Sequence, residues 1–202
     1  MNYQTHRITP VERKQLPEKL QPLFDRADAA MTTSDLPGPT LFGNQVRTLA
    51  HNPALLEALT RVYQVFADSQ SVERKLVELG ILVASRVNAC RYCVQHHAPL
   101  AHHAGLTPEQ LQAIQDGEWA ARRQLWDRRE WLVIQYAEQL TSEPYRISDA
   151  FFAELKVEFN DRQLVDLTMR LALCSAWNKF NDALQLDTES PVQHAFAELK
   201  LG

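Results

Sequence analysis

The sequence predicts an all-α protein, and three observations carry that reading. The 202 residues hold only 6 glycines, well under the usual share of about 7%. Apolar side chains recur at three- and four-residue spacing almost everywhere past residue 41. No run of alternating β-branched residues bounded by turn signals marks a strand.

The elements follow in order. Residues 1–40 contain 5 of the 10 prolines. They read as an extended N-terminal arm with a short helix near residues 17–31, a packing or partly disordered segment of the kind common at termini. Residues 41–187 read as one helical domain and residues 188–202 as a C-terminal tail. In His51-Asn52-Pro53, Asn52 suits an N-cap and Pro53 the first helical position. The helix they open, PALLEALTRVYQVF, carries Leu55, Leu56, Leu59, Val62, Tyr63 and Phe66 at helical spacing. Ser71 is the expected cap of VERKLVELGILVASRV, whose Leu76, Leu79, Leu82 and Val83 face a core and which contains Glu78. Asn88-Ala89 breaks that run, and a cysteine-bearing helix starts there. Gly105 suits its end, while Pro99 is expected to bend or divide it. Thr107-Pro108-Glu109-Gln110 joins a capping hydroxyl, a proline at the first position and a glutamine at the third. Helices are expected near 108–116, 119–140, 148–158 and 161–184, with Ser148 and Asp161 as caps.

Composition narrows the function. At 45% hydrophobic the chain can bury one substantial core. Lys and Arg number 21 against 25 Asp and Glu, a formal net charge of −4. With no block of five like charges, this argues against a nucleic-acid or anionic-membrane surface. No apolar stretch is long enough to span a bilayer, and MNYQTHRITPVERKQL does not look like a signal peptide. The 3 cysteines are an odd number with two clustered, unlike a disulfide-stapled secreted fold. They point to a reducing cytoplasm, where paired cysteines bind metal or cycle redox states.

That pair sits in NACRYCVQHHAPLAHHAGL, residues 88–106. If residues 90–103 are helical, each position advances by about 100°. Cys93 then lies about 60° from Cys90, His97 about 20° from it further along the helix, and His96 roughly 120° away. Cys90, Cys93 and His97 share one face, and His96 does not. The spacing brings Cα atoms to about 5–6 Å, within disulfide range. A helical first turn favours thiolate, and His97 is placed to exchange a proton with Cys93. Other readings stand beside this one. Haem attachment would need histidine where Val94 stands. A zinc site would need a fourth ligand from Glu78, His96 or His102. A thioredoxin-like site would need a βαβ setting, and inert burial suits any free cysteine.

Glu78, Cys90-x-x-Cys93 and His97, with Asn88, Tyr92, Ala101 and Gly105 around them, resemble the alkylhydroperoxidase D / carboxymuconolactone decarboxylase superfamily. The similarity is strongest over residues 51–117 and continues more weakly through EWLVIQYAEQLT, ISDAFFAEL and NDRQLVDLTMRLALCSAWNKFNDALQL. The resemblance implies an alkylhydroperoxidase D-like helical bundle, a homo-oligomer (dimer, trimer or hexamer), and an antioxidant peroxidase without metal, haem or flavin. It implies that Cys93 attacks a hydroperoxide, Cys90 resolves the sulfenic acid to a disulfide, His97 serves Cys93 as base, and Glu78 orients His97. It also implies a thiol reductant, such as a lipoylated carrier or another dithiol system. Tyr92 departs from members with histidine between the cysteines. A phenol titrating near 10 cannot relay protons at neutral pH, so weaker or differently tuned peroxidase activity is expected. The alternatives are a non-enzymatic helical redox sensor or interaction subunit, or a metal-binding helical protein. His96, His102 and His103 read as surface or site-mouth residues, and Cys174 as a buried small hydrophobe. Trp177 and Asn178 read as packing or as a border of the thiol pocket, and Trp119, Trp126 and Trp131 as core or interface.

Overall fold

The computed structural model describes residues 6–16, 18–25 and 42–201. Among them helices follow one another without a strand. Nine α-helices matter here: α1 (Gly43–Leu49), α2 (Pro53–Ser69), α3 (Arg74–Val87), α4 (Arg91–His103), α5 (Pro108–Asp116), α6 (Arg128–Ser142), α7 (Asp149–Glu158), α8 (Asp161–Leu184) and α9 (Ser190–Glu198).

Most boundaries follow the local chemistry. Asn52 accepts from the Leu55 N–H and Pro53 takes the first helical position. Thr107 and Gln110 close a reciprocal capping box, and Ser148 accepts from the Phe151 N–H. Several expectations are corrected. Ser71 does not cap α3, because its hydroxyl is drawn to Asp166 across the bundle, and the helix starts after Glu73. Asp161 lies inside α8, since Asn160 forms the capping box with Gln163. The helix expected from 119 begins only at Arg128, because Asp127 caps it and the preceding residues turn so that Trp119 and Trp126 can be buried. The 188–202 tail carries α9, whose Val192 is buried against the cysteine helix side of the molecule. Pro99 does not divide α4, which runs unbroken through it. One missing backbone bond is tolerated where neighbours hold the helix in place.

The main core is built around α3, packed between α4, α6 and α8. Leu76, Leu79, Leu82 and Val83 are all buried there, as expected, alongside Val133, Leu167 and Leu171. Gly80 lets the helices approach: a Cβ at that position would lie 2.9 Å from Leu171 Cδ2 and 3.2 Å from Val133 Cγ1. Gly80→Val is therefore expected to destabilise the protein by about 1–3 kcal/mol through overpacking, read as a lower urea midpoint. An unchanged midpoint would mean that this contact is loose. A second cluster joins the described part of the arm to the domain. Leu16, Leu23 and Phe24 pack with Val46, Leu49 and Leu56, while Arg7 bonds the carbonyls of Ala183 and Leu184. The short helix expected near 17–31 appears as helical turns over 18–25, and residues 26–31 lie outside the described residues.

Candidate active site

The centre is the first turn of α4. Ala89 takes a left-handed conformation (φ 56°), which ends the α3 connection and turns the chain into the next helix. Cys90 is the N-cap, in extended conformation, and its sulfur accepts from the Cys93 N–H at 3.4 Å. The pair expected within one helix is thus a cap and a third helical position. The side chains still converge: the sulfurs are within disulfide-bonding distance and the Cα atoms are 5.4 Å apart. Cys93 lies where unpaired N–H groups and the helix dipole favour negative charge. From α8, the Asn181 side-chain N–H donates to Cys93 Sγ at 3.3 Å, an additional support for a thiolate.

One turn on, His97 Nδ1 lies 2.8 Å from Glu78 Oε2 on α3. A carboxylate only accepts, so Nδ1 carries the proton and Nε2 is the basic nitrogen. Glu78 is itself buried, with Arg74 Nε at 3.9 Å from its second oxygen. Cys93, His97 and Glu78 line one cavity of about 600 Å³, whereas Cys90 is fully buried outside its wall. The accessible sulfur is therefore that of Cys93. The cavity is walled by Phe42, Tyr63, Phe66, Leu100 and Trp177, with Arg170 among them.

His96 is a correction. It is not a surface or mouth residue but completely buried, stacked on Phe42 and against Tyr92. Its Nδ1 lies 2.7 Å from the Tyr92 carbonyl and its Nε2 2.8 Å from Glu189 Oε2. Both partners are oxygens, so either the ring holds both protons against an ionised Glu189 or the carboxyl holds one. Glu189 also accepts from the Tyr92 hydroxyl at 3.1 Å and the Asn44 N–H at 2.6 Å. Burial, then the neighbouring Glu189, pushes the Tyr92 phenol well above its ordinary value, so it remains a donor. His102 and His103 are exposed, as expected.

Cys174 is buried, as the apolar run around it implied, with Ser85 Oγ at 3.4 Å. Burial pushes its thiol up to about 11. Cys174 is therefore expected to resist iodoacetamide at pH 8 in the reduced native protein while Cys93 reacts, as read by peptide mass spectrometry. The same shift implies that native stability falls as pH rises from about 9, where an unfolded thiol ionises, to about 11. Trp177 and Asn178 both border the cavity, and Trp119 and Trp126 belong to the core.

The structure thus brings Cys90, Cys93, His97 and Glu78 together. Sequence reasoning missed Asn181, Glu189, Tyr63 and Arg170. Asn178 and Asn181, on the side of α8 that also carries Leu167, Leu171 and Cys174, were a readable sign of buried polar contacts. Val192, Ala195, Phe196 and Leu199 had the helical spacing that would have placed α9 behind Glu189. Among the described residues no group of three or more His, Cys, Asp or Glu side chains is gathered as a metal site. Nor is any helix among them long and apolar enough to cross a membrane.

Residues 53–132 match the carboxymuconolactone decarboxylase family. The chain is 22% identical over 120 residues to the uncharacterised protein YdfG of Bacillus subtilis (strain 168), covering 59% of this chain and 80% of that one. It superposes with a TM-score of 0.75 on a cysteine-to-alanine form of the debrominase Bmp8 in complex with 2,3,4-tribromopyrrole, at 18% identity, covering 98% of this chain and 100% of the other. A peroxidase-related alkylhydroperoxidase D core protein from Ralstonia eutropha JMP134 superposes with a TM-score of 0.71 at 17% identity, covering 93% and 94%.

Proposed function

We propose that this chain, which belongs to the alkylhydroperoxidase D / carboxymuconolactone decarboxylase superfamily, is a thiol oxidoreductase that reduces organic hydroperoxides through Cys93 and Cys90. One observation carries the reading: the reachable sulfur and an imidazole oriented by a carboxylate line one cavity, and a second sulfur lies in bonding range behind its wall. The steps balance. His97 takes the Cys93 proton, and the thiolate attacks the terminal peroxide oxygen. The O–O bond breaks, giving Cys93 sulfenic acid and an alkoxide that recovers the proton from His97. The Cys90 thiol then displaces hydroxide from that sulfur, which leaves as water once protonated, and the disulfide forms. A dithiol reductant, of the lipoyl type or another, restores both thiols by exchange. We place this cycle in a cytoplasmic homo-oligomer; light scattering tests the assembly.

Mass spectrometry of the protein after treatment with an organic hydroperoxide, with and without a dithiol, tests the cycle. The Cys90–Cys93 disulfide should form and then disappear. Failure of either step under turnover conditions removes the enzyme reading and leaves the redox-sensor or interaction role. His97→Ala is expected to move the midpoint of Cys93 alkylation upward by about one pH unit. An unmoved profile contradicts the base role.

The superposition on a debrominase holding a bromopyrrole favours one second reading, because the aromatic cavity here suits a flat ring. Reductive dehalogenation would use the same sulfurs. The dithiol supplies two electrons, the carbon–halogen bond becomes carbon–hydrogen, halide leaves, and a disulfide remains. Halide release from a bromoaromatic without hydroperoxide consumption would select it.

A further inference from the structure

The cavity lining carries donors that the thiol cycle does not use. Arg170 on α8 lines it, with its guanidinium 4.3 Å over the Phe66 ring and its Nη2 donating to the Phe66 carbonyl at 2.7 Å. Those contacts fix the group before any ligand arrives. Its Nε is buried and has no hydrogen-bond partner among the described residues. Asp166 and Glu78 act on Arg170 only through space. Each is engaged elsewhere: Asp166 by the hydroxyls of Ser69 and Ser71, Glu78 by His97 and Arg74. Burial opposes the Arg170 charge, a cost that a bound anion relieves.

Tyr63 lines the same wall. Its phenol oxygen accepts from the Trp177 indole N–H, so its own proton remains to be given, and no described residue takes it. Burial pushes the phenol well above its ordinary value, which keeps that proton in place. A planar cation and a neutral O–H donor therefore meet in an aromatic-walled space.

We infer that Arg170 and Tyr63 form an anion subsite, and that the substrate is an elongated apolar or aromatic acid whose carboxylate docks there while its reactive group faces Cys93. The helix sets the span. Arg170, Cys174, Asn178 and Asn181 descend one side of α8, and Asn181 touches the Cys93 sulfur. Eleven residues separate Arg170 from Asn181, roughly 16 Å along the axis. The acid and the reacting atom are thus different parts of the ligand, held by different turns of α8. A two-point grip of this kind holds the reactive group against the thiolate and discriminates against a neutral analogue, which leaves the guanidinium desolvated and unpaired.

The identity of the acid as the substrate rests on the thiol-enzyme reading, but the subsite is testable without turnover. Binding of biphenyl-4-carboxylate and of its carboxamide to the wild-type protein is measured calorimetrically at neutral pH. The carboxylate should bind about tenfold more tightly. Arg170→Gln should erase that preference while amide affinity persists, Arg170→Lys should restore part of it, and Tyr63→Phe should lower carboxylate affinity about threefold. Equal affinities, a preference that survives Arg170→Gln, or no binding of either compound overturns the proposal. Acid preference without hydroperoxide or bromoaromatic turnover would instead leave the subsite standing and remove the proposed chemistry.

Discussion

Cys93→Ser is expected to reduce hydroperoxide consumption to the uncatalysed background, with no sulfenic acid detectable by dimedone labelling. The magnitude follows from the chemistry. Serine places an alcohol where a thiolate formed, and no nearby group is a strong enough base to hold it ionised near neutral pH. The structural cost is small, because the Cys93 side chain is a single atom beyond Cβ and serine keeps an acceptor for Asn181. An unchanged melting temperature in the reduced state therefore separates lost chemistry from lost fold. Cys90→Ser has a different signature. Cys93 still faces the cavity, so one equivalent of hydroperoxide is consumed, after which the sulfenic acid persists because its partner is gone. The asymmetry rests on access: Cys93 lines the cavity and Cys90 is sealed behind it. If Cys90→Ser abolished sulfenate formation and Cys93→Ser did not, the two sulfurs would have been assigned backwards.

The sulfurs, His97 and Glu78 were legible because their arrangement is local. Cys90, Cys93 and His97 follow helical period within two turns, and Glu78 belongs to a motif that ties it to them. The long α8 was legible for the same reason, its apolar spacing being written in adjacent residues, although its start was read one residue late, at Asp161 instead of Asn160. What failed was everything set by distant partners. Ser71 looked like a cap, but Asp166 lies beside it only after α8 folds against α2. His96 was correctly placed off the cysteine face, yet being off that face does not mean facing water. Phe42 and Glu189, from opposite ends of the domain, cover it. Arg170 and Tyr63 carried no motif at all. Their relation exists only because α2 and α8 cross beside the cavity, and contacts of more than a hundred residues' separation leave no periodic trace in a single sequence.

Glu189→Ala is expected to be the most damaging change outside the core, lowering unfolding free energy by about 2–4 kcal/mol. The carboxyl group gathers three hydrogen-bond partners from two segments: the Asn44 N–H of α1, and the Tyr92 hydroxyl and His96 ring of α4. It stands at the start of α9. Alanine leaves all three without that partner, and His96 cannot turn to water because it is fully enclosed between Phe42 and Tyr92. Part of the cost is relieved at Glu189 itself, whose side chain is 15% exposed, which is why the range stops short of a fully buried ion pair. Glu189→Gln separates charge from contact. It keeps one acceptor oxygen, and its amide N–H groups must face donors, so it should lose about half as much. The measurement is urea unfolding of the reduced protein near neutral pH, with Glu198→Ala on the same helix as the control for removing a surface carboxylate. A Glu189→Ala loss within about 0.5 kcal/mol of that control would show that α9 is held by Val192 and its apolar neighbours alone. A loss of the expected size ties the C-terminal helix to the turn that carries Cys93, since Tyr92 lies between the two cysteines and its hydroxyl is the link.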